Sequence, residues 1–150
     1  MLKIVTDTYQ LHKKVHPIPL KESFATAQNM LLWLLQNQSN RSARTIGLAS
    51  NQLGLKGRVI SVRRGHKWHM MINPSIYSTS EETAEGMEGC LSVDGLYKIE
   101  RSTSVTVEYY DIKQKALMRT RLDELDARVV QHEIDHLDGK LISDNYRGVK

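Results

Sequence analysis

The sequence predicts an α+β protein in which antiparallel β-sheets pack around a central helix, with a further helix nearer the N-terminus. Three observations predict this class. Residues 20–36 carry apolar residues at helical spacing, residues 58–110 alternate between β-rich segments and turn residues, and residues 123–138 have a helical pattern without glycine or proline. A chain of 150 residues has the size of one compact domain, so we expect a single domain over residues 1–150.

The composition is that of an ordinary globular protein, because 40% hydrophobic and 25% charged residues exclude a disordered or collagen-like chain. The longest apolar run, residues 30–35, is far shorter than the roughly 18 residues that would suggest a membrane span, so we expect no membrane association. Asp7 precedes any apolar stretch, so we expect no secretory signal and a cytoplasmic location. The basic residues behind the net charge of +4 are scattered, which favours solubility over nucleic-acid binding as their role.

The first long element predicted is an amphipathic helix over residues 20–36. Its apolar residues recur at spacings of three and four, which places them on one face. They are Phe24, Ala27, Leu31, Leu34 and Leu35. We expect this face to pack on a sheet, and the polar residues 37–42 predict a turn after the helix.

Short β-rich segments follow and predict an antiparallel sheet. We expect strands over residues 58–62, 68–72, 75–80 and 104–110. In the last of these, Val105, Val107 and Tyr109 alternate with other residues, as in a strand with one buried face. The turns are predicted from Gly54, Gly57, Gly65, the pair Asn73 and Pro74, and Asp111.

A second long helix is predicted near residue 123, with Asp123 as its N-cap and Asp126 completing a pattern close to a capping box. Apolar residues and then histidines lie at spacings of three and four along one stripe: Leu122, Leu125, Val129, His132 and His136. Buried imidazoles need polar partners, so this change along the inward face indicates a buried polar site.

Residues 132–136 read H-E-x-x-H inside this predicted helix. Histidines four positions apart lie about one turn from each other, roughly 5 to 6 Å between their Cβ atoms, so His132 and His136 can bind one metal ion. Glu133 can flank the ion without binding it, which is where a general base is needed. The alternative, two histidines that meet no metal, is less consistent with the helical setting.

A catalytic site of this type needs a third protein ligand, and the residues leave several candidates. The metzincin pattern is excluded because Ile142 stands where its third histidine would be. The upstream candidates are Cys90, His66, His69, His12 and His16. We favour Cys90, because a thiolate is a good ligand for a divalent transition metal and Gly89 allows a close backbone approach.

Three segments, in the same order along the chain, resemble the signature motifs of the peptide deformylases. Residues 47–52 read G-L-A-S-N-Q and resemble the family's G-x-G-L-A-A-x-Q loop, residues 88–92 match E-G-C-L-S, and residues 131–136 match Q-H-E-x-D-H. Two positions of the first motif differ, where Thr45 replaces a glycine and Ser50 replaces an alanine. The similarity extends over about residues 45–139.

The resemblance implies a metal held by Cys90, His132 and His136, with Fe²⁺ as the working ion and Zn²⁺, Ni²⁺ or Co²⁺ as alternatives. It implies a hydrolase that removes the N-formyl group from the formyl-methionine of newly made polypeptides and releases formate. Water activated by the metal would attack the formyl carbon, and Glu133 would act as general base and then as general acid.

By the same resemblance, the Gln52 side-chain amide and the Leu91 backbone N–H would bind the oxyanion. The methionine side chain needs an apolar slot, whose walls we expect to be Ile46, Gly47, Leu125 and Val129. Arg128 adjoins these residues, and we expect it to meet the peptide beyond its first residue. We expect Arg101 to pair with Glu88 and brace the second motif, with a surface ion pair of no consequence as the alternative.

The chain resembles short forms of the family, which occur in phages and in other lineages. Only residues 140–150 follow the third motif, whereas many bacterial relatives continue into a helix used on the ribosome, so ribosome association stays possible here but would have to occur without such a helix. We expect a monomer that acts on N-formyl-methionyl nascent peptides in the cytoplasm of a bacterial cell or of a phage-infected host.

Two other functional interpretations remain open from the residues. An ordinary zincin peptidase would use a third ligand other than Cys90 and would cleave internal peptide bonds. A peptide-binding module with a structural metal would need a fourth protein ligand, and the chain has no second cysteine to supply one.

Overall fold

The strands of this protein pair in antiparallel fashion throughout the part of the chain that the computed structural model describes, residues 1–37 and 45–144. The helices are α1 (Thr8–Leu11), α2 (Leu20–Asn37) and α3 (Glu124–Leu137), with a short 3₁₀ helix over Ser50–Leu53. The strands are β1 (Gly47–Ala49), β2 (Val59–Arg64), β3 (Lys67–Thr79), β4 (Thr83–Cys90), β5 (Val93–Ser102), β6 (Ser104–Asp111) and β7 (Ala116–Asp123). The predicted α+β class is therefore confirmed.

The strands form two sheets of unequal size. The large sheet has the order β1-β2-β3-β6-β7, and β4 pairs only with β5 as a separate hairpin among the described residues. Successive residues of β2 face opposite sides: Val59 belongs to the core cluster under α2, and Ile60 belongs to the cluster under α3. The two long helices therefore cover opposite faces of the large sheet, as period-two alternation of apolar residues allows.

Helix α2 packs on the sheet as expected, and Ala27 and Leu34 are buried as predicted, but part of its buried face differs from the predicted one. Met30 and Trp33 are buried, whereas Leu35 is 55% exposed and Leu31 is half-buried. The apolar run over residues 30–35 offers two overlapping helical faces. Contact with Val59 and Ile72 of the sheet decides which face is buried, and this contact is not visible in the spacing of the run.

The strands predicted at residues 68–72 and 75–80 are one continuous strand, β3, so the turn predicted at Asn73 and Pro74 is wrong. The pair instead forms an irregularity in the strand, where the pairing with β6 shifts register between Ile72 and Ser75 and Asn73 has φ 51°. A β-bulge accommodates a proline inside a strand because the missing N–H is taken out of the hydrogen-bonded ladder. The turn predicted at Gly65 is confirmed, with φ 62° between β2 and β3.

The predicted start of the last helix needs a correction. Leu122 is the buried end of β7 rather than a member of the helical stripe. Asp123 is the N-cap of α3, but its side chain makes no capping bond and instead accepts a hydrogen bond from Arg121 Nε at 3.1 Å. Asp126 accepts a hydrogen bond from Arg64 Nε at 3.3 Å, so each carboxylate of the predicted capping box pairs with an arginine and the prediction of the box is wrong.

The strands β1, β4, β5 and β7 were not predicted, because charged residues and glycines interrupt their alternation. The turn predicted over residues 37–42 lies, from residue 38 onwards, outside the described residues, as does the tail from residue 145. No helix in the described ranges is long and apolar enough to cross a membrane.

Candidate metal centre

Helix α3 lies between the large sheet and the β4–β5 hairpin and presents a different face to each. Val130, Ile134 and Leu137 are buried in the core cluster of the large sheet. Polar residues of the same helix face the hairpin, and one of them, Gln131, both donates to Ser102 O at 2.9 Å and accepts from Ser102 N at 3.2 Å. The two histidines of the H-E-x-x-H segment therefore lie where the helix meets the hairpin, whose first strand, β4, ends at Cys90.

The structure brings Cys90, His132 and His136 together. Their ligand atoms lie within 4.8 Å of one another, and Cys90 Sγ is 3.2 Å from His136 Nε2. Among residues 1–37 and 45–144, no other group of three histidine, cysteine or carboxylate side chains is close enough to bind an ion together. One thiolate and two imidazoles form a donor set that suits Fe²⁺, Co²⁺, Ni²⁺ or Zn²⁺.

The other candidates for third ligand lie elsewhere. The ring of His12 is 3.1 Å from Asp144 Oδ1, and His16 and His66 are exposed. His69 lies on β3, where burial and the nearby charges of Arg64 and two lysines lower its pKa.

Glu88 orients His132 by a hydrogen bond of 2.8 Å between its Oε1 and the ring Nδ1. Burial would raise the pKa of Glu88, but hydrogen bonds from Arg101 and His132 hold its pKa far below the usual value, so Glu88 is ionised. An ionised carboxylate can only accept, so Nδ1 carries the proton and Nε2 is the atom that can bind a metal. The arrangement is a carboxylate–histidine pair of the kind that supports metal ligands.

The protonation of the two imidazoles follows from their surroundings. Burial would lower the pKa of His132, but the charge of Glu133 and the contacts with Cys90 and Glu88 raise it to about 10. Burial and the charges of His132 and Arg101 lower the pKa of His136 well below its usual value. His136 is therefore neutral, as a ligand must be, and an ion binding to His132 would displace its Nε2 proton.

The expected pairing of Arg101 with Glu88 is confirmed. The alternative of a surface ion pair is excluded, because the Arg101 side chain is only 1% exposed. Its Nε and Nη2 donate to the two oxygens of Glu88 at 2.8 Å each, and its Nη1 donates to Asp135 Oδ2 at 2.7 Å. Asp135 was not predicted as a site residue. A carboxylate three positions after His132, on an inward helix face, would have signalled a buried cationic partner.

Gln52 is buried and its amide has a defined orientation. Its Oε1 accepts from Ala49 N at 3.0 Å, so its Nε2 is the end directed at Ser92 Oγ (3.1 Å) and Cys90 Sγ (3.4 Å). Leu91 lies between these two residues in sequence and lines the same cleft. The serine that supports the amide was also missed by the sequence analysis, although it lies inside the E-G-C-L-S segment.

Glu133 is 4% exposed, and its Oε1 has no hydrogen-bond partner among the described residues. Burial raises its pKa to about 7, although the charges of His132 and Arg101 oppose the rise. Gly47 approaches it so closely that a Cβ at this position would collide with Glu133 Oε2 and lie 2.7 Å from Val129 Cγ1. The glycine therefore keeps space open beside the carboxylate.

A cleft of about 480 Å³ opens onto these groups. All four predicted wall residues line it: Ile46, Gly47, Leu125 and Val129. Leu125 is 59% exposed and lies at the rim, whereas Val129 is buried. Arg128 also lines the cleft, and its guanidinium donates to Glu88 Oε2 at 2.7 Å. Its contact with a peptide stays a prediction.

Fold and site together define an α+β protein whose central helix presents an H-E-x-x-H segment to a cysteine from a neighbouring hairpin. The family model described as polypeptide deformylase matches residues 1–150. The chain therefore belongs to the polypeptide deformylase family.

Individual relatives agree with this assignment. A peptide deformylase of Natranaerobius thermophilus is 42% identical over 99 residues, which are 65% of this chain and 63% of that protein, so the match spans less than two thirds of the relative's length. The crystal structure of a probable peptide deformylase from Synechococcus phage S-SSM7 is 35% identical, with a TM-score of 0.83 over 97% of this chain and 100% of that one. A peptide deformylase from Synechococcus elongatus, in complex with actinonin, is 31% identical, with a TM-score of 0.83 over 99% and 79% of the two chains.

Proposed function

We propose that this protein is a metal-dependent hydrolase that removes the N-formyl group from the formyl-methionine of newly made polypeptides and releases formate. The observation that carries the proposal is the convergence of the Cys90 thiol and the imidazoles of His132 and His136 within 4.8 Å. Cys90 and His132 line a cleft that Glu133 also lines. Membership of the deformylase family supports the same activity.

We propose that Cys90, His132 and His136 hold a divalent ion, with Fe²⁺ as the working ion and Zn²⁺, Ni²⁺ or Co²⁺ as alternatives. The donor set accepts all four, so ligand chemistry does not choose among them. When bound, such an ion lowers the pKa of a coordinated water and polarises a carbonyl oxygen.

Glu133 is the residue that we propose as the proton acceptor and donor of this reaction. Its carboxylate lies in the cleft, next in sequence to His132, and its Oε1 has no competing partner among the described residues. We propose that Glu133 accepts a proton from the attacking water and then donates it to the amine that leaves the formyl carbon. Both transfers need a group that is free to gain and lose a proton, and Glu88 is excluded because two arginines hold it ionised.

Gln52 and Leu91 are proposed to donate hydrogen bonds to the oxygen that becomes negative in the transition state. The bond from Ala49 N to Gln52 Oε1 directs the amide N–H groups towards Cys90, so the donor is already oriented before substrate binds. The methionine side chain would occupy the apolar part of the cleft, whose walls are Ile46, Gly47, Leu125 and Val129.

The proposal is tested by measuring formate release from a formyl-Met-Ala-Ser peptide with and without a strong chelator. We expect the chelator to abolish formate release and added Fe²⁺ or Zn²⁺ to restore it. We also expect Cys90→Ser to release formate far more slowly than wild type. Arg119→Ala is a matched control, because Arg119 is exposed and pairs with Glu108 on the large sheet. Release that does not respond to chelator, or cleavage of internal peptide bonds in place of deformylation, would contradict the proposal.

Replacing Gln52 with leucine is expected to slow formate release by about 10²- to 10³-fold, because a buried donor to the oxyanion is lost. Leucine has a similar size, so the metal content should stay equal to that of wild type. Kinetics on formyl-Met peptides, with metal analysis of the same samples, measure both quantities. Wild-type turnover in a fully loaded Gln52→Leu enzyme would remove Gln52 from the mechanism.

A further inference from the structure

The β4–β5 hairpin is attached to the rest of the protein mainly by side chains. Its strands make no ladder with the large sheet in the described part of the chain. Most of these contacts come from one polar stripe of α3, and Gln52 adds bonds to Cys90 and Ser92 where the hairpin turns. The stripe residues that bond to the hairpin, at spacings of three and four, are Arg128, Gln131, His132 and Asp135. Cys90 lies on the hairpin and His132 and His136 lie on the helix, so the three metal-binding groups meet across this polar contact.

Arg128 is the outermost member of the stripe and makes three bonds to the hairpin. Its Nη1 donates to Glu88 Oε2 at 2.7 Å and to Ile99 O at 3.0 Å, and its Nη2 donates to Ala84 O at 2.8 Å. The acceptors belong to both strands, β4 and β5. One guanidinium therefore fastens both strands of the hairpin to the helix, with the planar geometry that lysine lacks.

Gly86 is the position on β4 that makes room for this guanidinium. A Cβ at Gly86 would lie 2.9 Å from Arg128 Cζ and 3.1 Å from Nε and Nη2. The φ of Gly86 is not positive, so its backbone would accept alanine and the collision with Arg128 alone would be the cost. Gly86 and Arg128 thus form a complementary pair.

We propose that Arg128, seated against Gly86, is a positioning residue that holds the Cys90 hairpin against α3 and so determines how firmly a bound metal ion is retained. Glu88 keeps Arg101 and His132 as partners when Arg128 is lost, so the inner part of the network stays paired. The effect of Arg128 is therefore on the separation of hairpin and helix, not on the protonation of Glu88. This inference rests on the proposed metal site.

The experiment compares wild type with Arg128→Ala, Gly86→Ala and the double variant. Each protein is loaded with Zn²⁺, and release of the ion to a chromogenic chelator is followed in time. Loss of a group that supports metal ligands typically costs 10- to 100-fold in metal affinity, so we expect Zn²⁺ release to be about tenfold faster in Arg128→Ala. Gly86→Ala should change release in the same direction, and the double variant should release no faster than Arg128→Ala, because the methyl group then meets no guanidinium.

Hydrogen exchange of the metal-free proteins provides a second measurement that does not depend on metal or on activity. We expect faster exchange at β4 and β5 in both single variants, with exchange at β6 and β7 equal to wild type, and Arg119→Ala should leave all four strands unchanged. Equal Zn²⁺ release and equal hairpin exchange in Arg128→Ala would overturn the inference, as would faster exchange spread evenly over all strands. If wild type binds no Zn²⁺, the proposed function fails, and the exchange of the hairpin still decides whether Arg128 holds it.

Discussion

Alanine in place of Glu133 is expected to lower formate release by about 10²- to 10⁴-fold, the usual contribution of a general acid–base group. The reason is geometric. Glu133 faces the cleft beside His132, and the other carboxylate that lines this cleft, Glu88, is held ionised by two arginines and cannot substitute for it. The proposed ligands Cys90, His132 and His136 are not altered, so the metal content of the variant should equal that of wild type.

The measurement is kcat and KM on a formyl-Met peptide, with metal content determined on the same sample. Glu85→Ala is a matched control, because Glu85 is an exposed carboxylate on β4 whose partner is the exposed Lys98. We expect the Glu133→Ala loss to appear in kcat, since the role proposed for Glu133 concerns protons that move only during the reaction. A fully metal-loaded Glu133→Ala enzyme with wild-type kcat would show that another group moves the proton.

Alanine in place of Arg101 is expected to destabilise the fold by about 3 to 5 kcal/mol, the usual cost of removing one partner from a buried ion pair. Arg101 is 1% exposed and is bonded to both Glu88 and Asp135. Its removal leaves Asp135 without this cation and leaves Glu88 with only Arg128 and His132. Two carboxylates with less compensation in the interior account for the size of the effect.

Urea unfolding followed by circular dichroism measures this change, with the slope of the transition checked for two-state behaviour. Arg119→Ala is the control, because its ion pair with Glu108 is exposed and the urea midpoint should stay at the wild-type value. Arg101→Lys should recover only part of the loss, because an ammonium cannot donate to Glu88 and Asp135 in the fixed fork of a guanidinium. An unchanged midpoint in Arg101→Ala would mean that the buried network does not stabilise the fold.

The parts of the site that lie close together in sequence were predictable. His132 and His136 are four positions apart on a helix, and helical geometry alone brings their rings to a centroid distance of 5.0 Å. The α+β class was predictable too, because two long helical segments and the β-rich segments between them follow each other without overlap. The prediction of a turn at Asn73 and Pro74 was wrong, because proline also occurs in a β-bulge, and whether a bulge forms depends on the pairing of β3 with β6.

The hydrogen bonds and ion pairs that surround Cys90, His132 and His136 were predictable only in part. The pairing of Arg101 with Glu88 was expected, but its burial and the participation of Asp135 were not, because burial depends on what covers a residue. The expectation that Arg128 meets a peptide stays a prediction, and its bonds to both strands of the hairpin were not expected. The space that the Arg128 guanidinium occupies against the hairpin depends on Gly86, forty-two positions away in sequence. The periodicity of apolar residues within one helix or strand does not predict such a contact.

The residue types that the proposed metal binding and proton transfer need can be read from the amino-acid order alone, and so can the helical spacing that aligns two imidazoles on one face. Tertiary structure alone decided that Cys90 lies 3.2 Å from an imidazole 46 positions away, that Gln52 is directed at the thiol, and that α2 buries Met30 and Trp33 in place of Leu35. The physical reason is that backbone hydrogen bonding sets periodicity within an element, whereas packing and buried charge pairing set which elements meet.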